Sequence, residues 1–103
     1  MHLVQILLPL YDNEGTELPK LEFRRVSSEL SHRFGGLTAH TQAPAEGIWT
    51  ESEDARPTHD EIVIFEVMTD TLDRQWWAEY RRELERRFRQ REIVVRAQPI
   101  EQL

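Results

Sequence analysis

Four side chains in this sequence have types suited to acid–base work on a small molecule: His40 and Glu66 as acid and base, with Tyr11 and Arg96 as orienting groups. Alternation along an extended chain puts Thr38, His40 and Gln42 on one side of their segment. It puts Ile62, Ile64, Glu66 and Met68 on one side of theirs, and Leu3, Gln5, Leu7 and Tyr11 on one side of a third. If those strands are neighbours, Glu66, Gln5 and Arg96 form a polar row amid Leu3, Leu7, Ile62, Ile64 and Met68. An apolar surface with a few converging polar groups is what a small-molecule site requires, and a carboxylate beside an imidazole suits proton transfer. The favoured reading of the same residues is structural, with Glu66 pairing with Arg96 across strands or across a dimer interface, in a binding or interaction module.

Other chemistries find little in the chain. It contains no cysteine, which excludes disulfides, thiol catalysis and cysteine-ligated zinc or iron–sulfur centres. The four histidines are His2, His32, His40 and His59. No two lie three or four apart on one helix, and His59-Asp60-Glu61 falls in a charged stretch, so no metal site is expected. Gly35-Gly36 follows a helical pattern where a phosphate loop would precede one, so it is read as a helix stop. No cofactor is expected.

The chain has 103 residues, 13 basic against 19 acidic, and a formal net charge of −6. This argues against a nucleic-acid partner. The charge is uneven. Glu46, Glu51, Glu53, Asp54, Asp60 and Glu61 stand against Arg56, while residues 74–91 carry seven Arg against Glu79, Glu83 and Glu85. Those arginines wrap the helix and interleave with the glutamates, which reads as a solvated, ion-paired face. No apolar run reaches the roughly 18 residues that span a bilayer. The N-terminus lacks a basic leader and reads as a strand, so a cytoplasmic location and no membrane partner are expected.

Chemistry at these positions depends on the elements that hold them. Residues 2–11 are apolar on both parities, as in a strand covered on both faces, and Asp12-Asn13-Glu14-Gly15 is a turn. Phe23, Val26, Leu30 and Phe34 form a helical stripe after Pro19, stopped by Gly35-Gly36. Residues 37–42 form a short strand that Gly47-Ile48-Trp49 could resume. The acidic stretch from Glu51 to Thr58 has almost nothing to bury and is expected to be an exposed connection. Residues 61–69 form the clearest strand. Leu72, Trp76, Tyr80, Leu84 and Phe88 recur every four residues in a second helix, capped by Asp70 or Thr71. Glu83 to Arg87 and Glu85 to Arg89 are expected ion pairs along it. Trp76 is assigned to the core and Trp77 to an interface or to solvent. A last strand covers 93–97.

The order β, α, β, β, α, β in one domain over 1–103 predicts an α+β, ferredoxin-like sandwich: a four-stranded antiparallel sheet in the order 4-1-3-2, with both helices on one face. Val4, Ile6, Leu8, Val63, Phe65 and Val67 are the helix-facing set. The other face shows Leu3, Leu7, Ile62 and Ile64, too apolar to stay wet. A homodimer through that open face, or through the sheet edge bearing Trp49, is therefore expected, with a small-molecule ligand as the other partner the face could take.

Arg33-Phe34-Gly35-Gly36-Leu37-Thr38-Ala39-His40, followed by Gly47-Ile48-Trp49, resembles the core of small uncharacterised bacterial proteins with a Phe-Gly-Gly-Leu-Thr and Gly-x-Trp pattern. The resemblance spans about residues 11–97. It includes Tyr11-Asp12-Asn13 and Trp76-Trp77, implies a βαββαβ domain and brings no established activity. A looser likeness is to dimeric α/β-barrel domains, in which two such sheets meet through their open faces around a small molecule.

Overall fold

The computed structural model describes residues 1–42 and 61–103. In chain order the elements are β1 (His2–Pro9), α1 (Lys20–Phe34), β2 (Thr38–Gln42), β3 (Ile62–Thr69), α2 (Arg74–Arg87) and β4 (Val94–Pro99). The strands form one antiparallel sheet ordered β2-β3-β1-β4, which is the expected ferredoxin-like topology. Gly47-Ile48-Trp49 and the acidic stretch from Glu51 to Thr58 lie outside the described residues.

β1 ends at Pro9, where the ladder donor runs out. The chain then closes a small loop. Asp12 Oδ1 accepts from the backbone N–H groups of Glu14 and Thr16, both at 2.9 Å, while Gly15 takes a φ of 83°. Asp and Gly are suited to these two tasks. Leu18 N–H then donates to Leu10 C=O at 2.9 Å, which delivers Leu18 into the core. α1 starts after Pro19 and stops at Gly35, whose φ of 78° lets its N–H donate to Ser31 C=O at 2.8 Å.

α2 is capped one turn later than the sequence suggests. Asp73 is the cap, and its Oδ1 accepts from Trp76 N–H at 3.0 Å, whereas Asp70 and Thr71 precede the helix. Near the end of α2, Glu85 does not pair with Arg89. Its Oε2 accepts from the backbone N–H of Ile93 at 3.0 Å, and so ties the helix to the approach to β4. The expected Glu83–Arg87 pair forms, with Arg87 Nε donating to Glu83 Oε1 at 3.2 Å.

The core lies between the sheet and the helices. Val4, Ile6, Leu8, Phe65 and Val67 supply the sheet side, while Val26, Leu30, Trp77, Tyr80, Leu84 and Phe88 come from the helical segments, with Leu18 and Ile93 closing the ends. The two tryptophans exchange their expected roles. Trp77 is buried at 5% exposure, while Trp76 is only half-buried. The spacing of four places Trp76 in line with Tyr80, and the rings do stack at 4.8 Å. The stripe of α2 turns about its axis, however, so that Trp77 stacks on Phe34 of α1 at 5.2 Å and faces inward. Trp76 closes the rim, with the Arg33 guanidinium 4.2 Å from its ring centre.

Arg87 braces the two helices. It donates to Glu83 of its own helix and makes a two-pronged contact with Glu29 of α1, in which Nη2 to Oε2 is 3.0 Å. The Arg87 hydrogen bond is the main cause holding the Glu29 carboxyl below its usual range, opposed by desolvation. Burial, reinforced by the nearby Glu29 charge, pushes the Tyr80 hydroxyl well above its usual value.

The difference between the tryptophans is measurable. Trp77→Ala should cost about 3–5 kcal/mol, in the range of core aromatic truncations. Trp76→Ala should cost less than half of that, both read from urea unfolding. Equal losses would place both rings in the core.

Candidate functional site

The sheet's other face carries a row of polar side chains, one from each strand. The register sets it. Gln5 lies opposite both Glu66 and Arg96, Thr38 lies opposite Glu66, and His40 lies opposite Ile64. Arg96 Nε donates to Gln5 Oε1 at 2.8 Å, and Gln5 Nε2 donates to Glu66 Oε1 at 2.7 Å. Glu66 Oε2 lies 3.3 Å from His40 Nε2, a diagonal reach from the edge strand. The result is one continuous chain, His40–Glu66–Gln5–Arg96.

The direct Glu66–Arg96 pair that the sequence suggests is replaced by this relay. β1 separates β3 from β4, so their backbones lie roughly 10 Å apart, and the Gln5 amide spans the gap. An amide can do so because it offers a donor and an acceptor at once. Tyr11 is not part of the row. It lies beyond the end of β1 at an isolated bridge to Glu17, six residues past Gln5, or roughly 20 Å of extended chain.

The apolar frame of the row follows the same register. Leu3 and Met68 flank it on one side, and Leu7, Ile64 and Val94 on the other. Met68 and Val94 are 48% and 45% exposed. Ile64 is buried, yet it does not belong to the helix-side core. Beside the row, a groove of about 400 Å³ is lined by Leu3, Thr38, Glu66 and Met68 together with the Gly35-Gly36 stop of α1. His40 and Arg96 do not line it.

The Gln5 hydrogen bond holds the Glu66 carboxyl below its usual value; desolvation opposes this, and the His40 hydrogen bond and charge add to it. Glu66 is therefore a carboxylate at neutral pH with each oxygen already engaged. Its charge is thereby fixed within the row, and a general acid or base is best placed when its value lies near the working pH. Among the described residues no group of three His, Asp or Glu side chains could hold a metal ion, and no helix is long and apolar enough to cross a membrane.

Fold and site together define a four-stranded α+β sandwich with a polar relay on the sheet face that no described helix covers. No protein-family model and no curated protein matches the chain. Among solved structures it is similar to a phage SAM lyase in complex with S-methyl-5'-thioadenosine, with a TM-score of 0.61 and 15% sequence identity, covering 94% of this chain and 79% of that one. At this identity the likeness shows the fold alone.

The lowered Glu66 value sets a pH dependence. The unfolded carboxyl, near 4.5, binds its proton at a higher pH than the folded one. Stability is therefore fully present above that value and is lost as the pH falls through the folded value. Urea unfolding of the protein between pH 3 and 7 should show this acid loss, and Glu66→Gln should flatten it. An unchanged acid slope in Glu66→Gln would mean that the row does not hold the carboxylate.

Proposed function

We propose that the protein is a small cytoplasmic binding module, not an enzyme, that acts as a homodimer through the open face of its sheet. One observation carries this reading: the His40–Glu66–Gln5–Arg96 row lies among Leu3, Leu7, Met68 and Val94 on a face that no described helix covers. Apolar side chains of this number on one face gain by leaving water. The row suits a second copy as the occupant. Its anion and its guanidinium stand on opposite sides of Gln5. A two-fold axis parallel to the strands therefore turns the Glu66 side of one copy toward the Arg96 side of the other, which makes the surface self-complementary. In such a contact the row fixes register and the hydrocarbon supplies the affinity.

A second reading is favoured by the groove of about 400 Å³ beside Glu66, which is within the range of small-ligand sites. The phage lyase of similar fold holds S-methyl-5'-thioadenosine, so a thioether nucleoside is the first ligand to try there. Catalysis by His40 and Glu66, with Tyr11 and Arg96 orienting, is the weaker form of this reading. It has Glu66 held ionised and Tyr11 far along the chain from the row.

Light scattering at micromolar concentration should give the mass of two chains, and Leu7→Glu should reduce it to one chain with an unchanged circular dichroism spectrum. A wild-type mass of one chain would defeat the homodimer. A rise in melting temperature with S-methyl-5'-thioadenosine that Met68→Lys abolishes would favour the ligand reading.

A further inference from the structure

The helix side of the sheet holds a second concavity, which shares only Arg96 with the polar row. Between α2 and the β1–β4 edge lies a groove of about 410 Å³, with Val4, Trp77, Ala78 and Ala97 in its floor and walls and with His2, Arg74, Arg81 and the edge residue Arg96 along it. Its origin is steric. Ala78 on the helix and Ala97 on β4 are the small residues where helix and edge strand meet, and they leave a slot that larger side chains would fill.

Three features of this groove point to one kind of ligand. First, Arg74 and Arg81 both line the groove and, like Arg24, Arg82, Arg89 and Arg91, have no carboxylate partner among the described residues, whereas Arg25, Arg86 and Arg87 each have one. Seven residues is two helical turns, about 10.5 Å, so both guanidiniums emerge on one side of α2 and can close on one group between them. Second, His2 lines the groove, and its Nδ1 has no hydrogen-bond partner among the described residues. A buried polar atom left in that state gains from a ligand that supplies one. Third, Val4, Trp77, Ala78 and Ala97 give the groove apolar floor and walls, which suit a ring.

We propose that this groove binds a small phosphate ester carried on an apolar ring, with the phosphate held by Arg74, Arg81 and His2 and the ring lying over Ala78 and Ala97 beside Trp77. Two guanidiniums and an imidazole match a dianion better than a monocarboxylate, because each fork can donate two parallel hydrogen bonds to phosphate oxygens. An added peptide strand is disfavoured as the occupant. The free edge of β4 carries Arg96 and ends at Pro99, and both residue types discourage strand addition.

Amide NMR of the ¹⁵N-labelled protein tests this with four probes: phenyl phosphate, adenosine 5'-monophosphate, adenosine and inorganic phosphate. The two esters should give saturable shifts at Val4, Ala78, Val95 and Ala97, and whichever binds more tightly tells a nucleotide from a simpler aryl phosphate. Adenosine and inorganic phosphate should bind at least about tenfold more weakly, as each lacks one half of the recognition. The double variant Arg74→Gln with Arg81→Gln should weaken the esters at least about tenfold while its melting temperature stays unchanged. Shifts centred on Arg82, Arg86 and Arg91, equal affinity for inorganic phosphate, or unchanged ester binding in the double variant would overturn the proposal.

Discussion

β1 is apolar on both faces and hydrogen-bonded on both edges, and the rest of the molecule is arranged around that constraint. A central strand of this kind cannot leave either face in water. Val4, Ile6 and Leu8 on one side call for a hydrophobic cover, and α1 and α2 provide it. Leu3 and Leu7 on the other side receive no such cover from the described helices. The polar residue between them, Gln5, sits where β3 and β4 each bring a charged side chain to the same level. A hydrocarbon at position 5 would leave Glu66 and Arg96 separated by a strand, and a carboxylate would repel Glu66. The amide satisfies both neighbours at once.

The relay changes what its charged members can do. Glu66 and Arg96 each spend hydrogen bonds on Gln5, so neither is a loose charge searching for a partner, and their geometry is set by the sheet. Long charged side chains held this way lose less freedom when another surface meets them. A carboxylate whose hydrogen bonds favour its charged form gives up proton affinity. One set of interactions thus fixes a negative charge at the centre of this face.

Much of this was legible in the residues, because period-two alternation over 2–9 and 62–69 is unambiguous once the strand order is set. The βαββαβ order implied that strand order, so the helix-facing set and the shared face of Gln5, Glu66 and Arg96 followed from parity, whereas Tyr11, counted on the same parity, lies beyond the end of β1. What parity could not give was connectivity within the row. Glu66 and Arg96 share a level, but only the strand order read together with side-chain length shows that Gln5 must carry the link. The tryptophans were misassigned for a related reason. Trp76 fits the spacing-of-four stripe better than Trp77 does, yet the rotation of α2 is decided by what α1 offers, and Phe34 offers a ring face to Trp77. Leu18 lies outside any periodic segment, and Ile93 stands at the first position of the expected last strand, so neither was placed in the core. Their burial depends on the Asp12 turn and on Glu85, whose carboxylate orders the approach to β4.

Position 85 also illustrates how this chain uses its interleaved charge. Sequence spacing treats each Glu and Arg of α2 as a candidate for the same helical pairing, but the three-dimensional demands on them differ. Arg87 pairs with Glu83 and also donates to Glu29, locking α2 onto α1. Glu85 faces a backbone N–H that would otherwise lack a partner at the end of a loop, and a charge-assisted bond there outweighs a solvent-screened pair with Arg89. Arg74 in the first turn and Arg81 in the middle of the helix line a groove and have no ion-pair partner among the described residues. Uniform composition along a helix therefore separates into a brace, a loop anchor and an uncompensated basic groove, and burial and neighbouring backbone, not spacing, decide which arginine serves which.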